Sequence, residues 1–152
     1  VKFIYKGVKF DLTTFRKEAG YVDSRHPNDV FFTKDIKEDY PRRDITINAL
    51  YLDKDLNVID FVNGVNDLNN KVIKMVGDPE IRIKEDPLRI VRIYRFKLDL
   101  DFSIDTELEK VIANNKELLH QLRKEKILEE IRKCHHQSEL KSILRKFDIN
   151  NL

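Results

Sequence analysis

At 152 residues and 41% hydrophobic content, the chain can bury a real core as one ordinary domain or two small lobes. Its 29 basic and 27 acidic residues nearly cancel to +2, so bulk charge announces neither nucleic acid nor membrane, and any basic site must be local. The lone Cys134 excludes an internal disulfide, and no apolar run approaches the roughly 20 residues that a membrane-spanning helix needs.

Val1, Phe3 and Tyr5 alternate with polar residues, Lys6-Gly7 supplies a short turn, and Val8, Phe10 and Leu12 alternate again. This pattern predicts a hairpin, with Lys9, Asp11 and Thr13 on the face opposite the apolar one. A polar loop is expected from Tyr21 to Asn28 and a short strand from Val30 to Thr33. In EDYPRRDITINALYLD (Glu38 to Asp53), Pro41 suits the first turn of a helix. The run from Ala49 to Leu52 either extends that helix or turns into a strand. NVIDF (Asn57 to Phe61) and KVIKMV (Lys71 to Val76) read as strands, separated by Gly64 and a short helical candidate around Asp67.

From Pro79 the chain changes character. Glycine ends at Gly77, proline at Pro87, and long amphipathic stretches take over. Thr106 to Ile112, Lys124 to Cys134 and Glu139 to Phe147 carry apolar residues at helical spacing, with Asp105 and Ser138 as expected N-caps. The layout is α+β: an α/β lobe to about residue 78, then an all-helical lobe.

The stretch EDPLRIVRIYRF (Glu85 to Phe96) opens that second lobe. Asp86 suits an N-cap and Pro87 the first helical position. Arg89, Arg92 and Arg95 then sweep one side of the helix over roughly 120°, and apolar residues occupy the rest. Nothing acidic lies between Asp86 and Asp99 to pair with them. Either an anionic ligand or carboxylates from elsewhere in the fold must relieve the repulsion. Asp86 accepts hydrogen bonds and Arg89 donates them, one turn apart. Such a pair complements the pairing edge of cytosine or adenine and leaves uracil or guanine unmatched, although capping already explains Asp86.

RRDITINAL (Arg42 to Leu50), DFVNGVNDL (Asp60 to Leu68) and GDPEIRIKEDPLRIVRIYRF (Gly77 to Phe96) together resemble the class II tRNA nucleotidyltransferases. These are the CCA-adding enzymes and bacterial poly(A) polymerases of the polymerase β superfamily. The upstream segment Phe10 to Phe32 and the downstream stretches Asp101 to Ile112 and Arg123 to Lys133 are also similar, and the likeness weakens after about residue 134.

The resemblance implies part of a nucleotidyltransferase head, with antiparallel or mixed sheet and short helices, over residues 1–78. A helical neck over 79–134 and the start of a helical body over 135–152 follow. It implies transfer of CMP and AMP from CTP and ATP to the tRNA 3′ end, with Mg²⁺ as cofactor. Single-nucleotide addition, poly(A) synthesis, a non-catalytic nucleotide- or RNA-binding remnant and one half of a split enzyme are the alternatives. Asp86 and Arg89 match the positions that pair with the incoming base, and Arg92 and Arg95 match positions lining the nucleotide site. Arg42 and Arg43 match a doublet that contacts sugar and triphosphate, Arg43 being the expected direct contact, with Asp44 and Asn48 as ribose or phosphate neighbours. Ile45 stands where the family usually has Phe.

The family's metal-binding Asp-x-Asp motif has no counterpart in this sequence. The chain alone is therefore expected to be inactive, with no catalytic or metal-binding residue assigned. A complementary N-terminal segment is expected to bring the carboxylates. Val1 in place of methionine and the lack of a signal peptide suggest an excised, soluble, cytoplasmic piece with no membrane partner. Asp53 and Asp55 have the right spacing but sit in a polar turn. Asp11 matches a position where the family often has an extra acid, and an exposed strand acid is the expected reading. Cys134-His135-His136 lacks a second ligand cluster and is set aside as a metal site. His26 and His120 read as ordinary polar positions, Arg16 and Arg25 are minor candidates for RNA or triphosphate, and the aromatics are too scattered for a base-stacking platform.

Overall fold

A computed structural model describes residues 1–21 and 27–149; the expectations for Arg25 and His26 fall outside the described residues. The chain opens as the predicted hairpin, in which β1 (Lys2–Tyr5) pairs antiparallel with β2 (Val8–Asp11). Lys6 and Gly7 both take positive φ, 48° and 79°, a turn whose twist matches that of the strands. Phe3 lies opposite Phe10, and their rings stack at 5.2 Å between centroids. Lys9 and Asp11 occupy the other face.

A second antiparallel hairpin joins β3 (Phe15–Tyr21) to β4 (Pro27–Thr33). The loop expected from Tyr21 to Asn28 is trimmed at both ends, because Tyr21 pairs with Pro27 and the ladder recruits the polar residues at its mouth. Helix α1 (Ile36–Asp39) is capped by Asp35, which accepts from the Lys37 N–H at 2.8 Å. At Pro41 the chain makes a 3-10 turn over Tyr40–Arg42 instead of the longer helix expected there, because Arg43 already takes an extended backbone, at φ −64° and ψ 157°, and ends the turn.

A second 3-10 turn at Thr46–Asn48 leads into β5 (Leu50–Leu52), which settles the undecided run as a strand paired with β6 (Val58–Asp60). Asp60 accepts from the N–H groups of Val62, Gly64 and Val65, each at 3.0 Å, and so starts α2 (Gly64–Asn69). Gly64 is required by close approach. A Cβ there would lie 2.4 Å from the Thr46 carbonyl oxygen. The buried Asp67 fixes the same junction by accepting from the Thr46 hydroxyl at 2.8 Å.

The strand expected over Lys71–Val76 shortens to β7 (Val72–Ile73), with Met75 bridging separately to Ile45. Helices α3 (Pro79–Glu85) and α4 (Leu88–Leu100) follow. Asp78 caps α3, and Asp86 accepts from the Leu88 N–H at 3.1 Å, so α4 starts one residue later than predicted with its acid still serving the first turn. The second lobe is not all helical. After α4 the chain turns through Asp101, at φ 54°, and β8 (Ser103–Ile104) returns parallel to β7. Ser103 N donates to the Lys71 carbonyl at 2.9 Å, an order of strands that only the packed fold could supply.

Helix α5 (Thr106–Asn115) is capped by Asp105 as expected, and a 3-10 segment at Lys116–Gln121 links it to α6 (Lys124–Lys133). Helix α7 (Gln137–Arg145) starts earlier than Ser138 predicts: the Leu140 N–H donates to the His136 carbonyl, so His136 holds the cap position. One apolar cluster runs from Ile45, Ile73 and Met75 through Ile90 and Ile93 of α4 to Leu140 and Leu144 of α7. No helix among the described residues is long and apolar enough to cross a membrane.

Candidate nucleotide site

The arginines of the sequence motifs gather where the β-rich part meets α3 and α4. At the centre is a carboxylate the motif reading passed over. Asp39, the last residue of α1, is fully buried. Its Oδ1 accepts from Arg42 Nε and Nη2 at 2.9 and 2.6 Å and from the Arg16 N–H at 3.0 Å. Its Oδ2 accepts from Arg43 Nε and Nη2 at 3.1 and 2.8 Å and from the Tyr51 hydroxyl at 2.9 Å. Burial alone would raise the Asp39 carboxyl, but these donors outweigh it and hold it at about 2. Burial and the bond to Asp39 raise the Tyr51 hydroxyl, which stays a donor. The Arg43 guanidinium also lies over the Tyr51 ring, 5.5 Å from its centroid.

The carbonyls of Arg42 and Arg43 are held in turn. Arg82 of α3 donates Nη2 to both, at 2.9 and 3.1 Å. Arg82 also pairs with Glu85, and Glu85 lies 3.2 Å from Arg89 Nη1, which further donates to the Arg82 carbonyl. Arg89 is thus buried with partners on α3, while Asp86 beside it is half-buried. Asp44 completes the join. Its Oδ1 accepts from the Ile45 N–H at 2.9 Å and from Asn48 Nδ2 at 3.3 Å, and its Oδ2 lies 2.6 Å from Arg92 Nη2.

The question left by the arginine column is therefore answered in part by the fold. Arg89, Arg92 and Arg95 each meet a carboxylate: Glu85, Asp44 and Glu130 respectively. Arg95 differs from the other two, because its partner belongs to α6 and its guanidinium covers the Phe96 ring at 4.3 Å. Seven of the eight predicted nucleotide-site residues fall in or beside one network of Arg42, Arg43, Asp44, Asn48, Asp86, Arg89 and Arg92; Arg95 lies on the α6 side. The side chains of Arg43 and Arg92 keep about a third of their surface in solvent, at 32% and 36%, against 15% for Arg42 and 7% for Arg89.

Four residues of this network went unread in the sequence. Asp39 precedes Arg42 and Arg43 by three and four residues, and Arg82 precedes Glu85 by three, so helical ion-pair spacing would have found them. For Tyr51 no local signal exists.

Among the described residues the remaining acids do not form a metal site. Asp53 is occupied by the N–H groups of Asp55 and Asn57 and by Asn57 Nδ2, at 2.8 to 2.9 Å, and Asp11 is exposed with Lys2 3.9 Å away. Cys134 donates to Asp99 Oδ1 at 3.3 Å, as does the His135 N–H at 2.8 Å. Among the described residues no three His, Cys, Asp or Glu side chains converge to hold a metal ion.

The profile of the family described as the poly A polymerase head domain matches residues 1–74. A CCA-adding enzyme of Lactobacillus helveticus is 45% identical over 130 residues, 86% of this chain and 33% of that protein. A CCA-adding enzyme of Staphylococcus haemolyticus is 40% identical over 151 residues, 99% of this chain and 38% of that protein. The crystal structure of the Bacillus stearothermophilus CCA-adding enzyme in complex with CTP superposes with a TM-score of 0.80 at 28% identity, covering 99% of this chain and 36% of that one. This chain spans about a third of the length of the relatives it matches. It belongs to the tRNA nucleotidyltransferase family of CCA-adding enzymes and bacterial poly(A) polymerases.

Proposed function

We propose that this chain supplies nucleotide selection and triphosphate binding to an enzyme that adds CMP and AMP from CTP and ATP to the tRNA 3′ end. The head runs to about residue 78, the neck from 79 to 134, and a helical body starts at 135. The family profile ending at residue 74 supports the first boundary. The observation that carries the reading is the seam itself. Arg43 and Arg92 are held in place by Asp39 and Asp44 yet keep part of their surface in solvent. Two fixed cations that keep a solvent-facing surface suit the anionic oxygens of a triphosphate, because their orientation is set before the ligand arrives.

Asp86 and Arg89 select the base. Glu85 and the Arg82 carbonyl occupy the Nη1 corner of Arg89, which leaves the guanidinium's other edge as donor to the ring nitrogen of cytosine or adenine. Asp86 accepts from the exocyclic amino group of the same base. Arg42 adds its charge beside Arg43 for the sugar and triphosphate, Asp44 and Asn48 support the arginines and the ribose, and Arg95 anchors α4 on α6. Among the described residues the acids do not fit the Mg²⁺ expected of the family, and its carboxylates are assigned to sequence outside this chain. CCA addition is preferred over poly(A) synthesis because the Lactobacillus helveticus and Staphylococcus haemolyticus relatives, which match well beyond the head profile, are CCA-adding enzymes.

The test is nucleotide preference in the full-length enzyme containing this chain. Arg89→Ala should raise UTP incorporation relative to CTP about tenfold, since one buried hydrogen bond no longer distinguishes the two bases. Binding of tRNA should change less. An unaltered order of preference among CTP, ATP and UTP removes the base-selecting role.

A further inference from the structure

The motif arginines do not stand alone, and the carboxylate beneath them lies outside the motif. We propose that Asp39 is a positioning residue for nucleotide binding, holding Arg42 and Arg43 side by side as one rigid, doubly cationic surface for the triphosphate. The inference rests on the reading that Arg43 binds that triphosphate.

Two guanidinium groups at adjacent positions repel each other, and each carries several rotatable bonds. Asp39 removes both obstacles. One oxygen takes the Nε–Nη2 edge of Arg42 and the other takes the same edge of Arg43, with all four contacts between 2.6 and 3.1 Å. Each guanidinium therefore turns its Nη1 corner away from Asp39. One negative charge beneath two positive ones leaves a net positive surface, which a fully paired network would not.

The carboxylate is itself fixed from two further elements. The Arg16 N–H of β3 reaches Oδ1, and the Tyr51 hydroxyl of β5 reaches Oδ2. Arg42 Nε also lies 3.2 Å from the Arg16 carbonyl, which ties the pair to β3 a second time. Such saturation goes beyond what a helix end requires: Asp39 is fully buried, and its donors come from α1's neighbouring turn and from two strands. Holding the donors in place before the ligand binds avoids ordering them at that moment.

The experiment is steady-state kinetics on the full-length enzyme with CTP and ATP, alongside tRNA binding. Asp39→Asn keeps the shape but replaces one acceptor oxygen with an amide that donates toward a guanidinium. It should raise KM for both nucleotides about tenfold, the scale of one charge-assisted hydrogen bond, with kcat and the Kd for tRNA changing less than about twofold. Asp39→Glu should recover part of the loss. Arg43→Ala should also raise KM, and combining it with Asp39→Asn should raise KM by less than the product of the two single effects, because Asp39 acts in part through Arg43. Loss of the Asp39 charge should lower Tm in either case; a merely structural Asp39 would leave KM constant in the folded fraction, and that result overturns the proposal. Tyr51→Phe removes one donor to Oδ2 at constant charge, which covers the case in which Asp39→Asn does not fold. It should raise KM about threefold, a fraction of a hydrogen bond's worth, and an unchanged KM in folded protein overturns the proposal. If Arg43→Ala leaves KM unchanged, the triphosphate reading fails with it; if only Asp39→Asn and Tyr51→Phe leave KM unchanged, the positioning role alone fails.

Discussion

Among the described residues, every buried apolar side chain lies at Ile45 or beyond, whereas before Ile45 the side chains withdrawn from water are the carboxylates of Asp39 and Asp44. The β-rich start holds its shape by backbone ladders and turn chemistry, with Phe3 and Phe10 still 46% and 43% exposed. The helical remainder holds by burial, with Ile83, Ile90, Ile93 and Ile112 fully enclosed. Two-stranded hairpins are marginal without a core to lean on. Here polar contacts cross between the two regions: the Tyr51 hydroxyl reaches Asp39, Arg92 reaches Asp44, and Arg82 holds the carbonyls of Arg42 and Arg43. A binding site suits that seam, since cations already ordered by buried acids can meet a ligand without rearranging the core.

Truncation in the two regions should give unequal losses. Ile93→Ala should cost about 3–4 kcal/mol in urea unfolding, by transfer and cavity terms together. Phe10→Ala should cost less than about 1 kcal/mol because that ring remains half in water. Equal losses would break the comparison by showing that the hairpin has a hidden core of its own.

Acid should probe the seam next. Asp39 titrates at about 2 in the folded chain, below its ordinary 3.8. A depressed carboxyl contributes stability that is present above the unfolded value and lost as pH falls through the folded one. The contribution, about 2 kcal/mol, should therefore be intact at pH 5 and disappear between pH 4 and pH 2. Asp39→Asn should flatten that part of the stability–pH curve, and a wild-type slope in the variant would place the titration elsewhere.

The smallest effect should be local. Gly7 sits at φ 79° with no neighbour within 4 Å of a Cβ, so Gly7→Ala adds backbone strain and no clash. About 1 kcal/mol should appear as faster amide exchange in β1 and β2, leaving the unfolding midpoint of the helical part unchanged. A matching fall in that midpoint would mean the hairpin is coupled to the core.

The local elements were largely legible. The first hairpin, the Asp105 cap and the helices near Lys124 and Glu139 follow from patterns a few residues long, within the reach of one turn or one strand pair. The run Ala49–Leu52 was not, because three apolar residues and an alanine satisfy both periods until β6 pairs with them. Ser138 was misplaced for a similar reason, since several residues near a helix start can serve as its cap. Most of the candidate site was read from its arginines, but what holds them was not.

The sequence by itself determined where the first hairpin and the helices beyond Pro87 form, which residues carry positive charge, and to which family the order of motifs belongs. Only the tertiary structure decided which carboxylate meets which arginine. Asp44 reaches Arg92, Glu130 reaches Arg95, and Asp39 gathers two strands and the arginine doublet. Periodicity arises from bonds and contacts a few residues apart, so it is written locally. A charge finds its distant partner only when packing brings two surfaces together and removes the water that would otherwise solvate both.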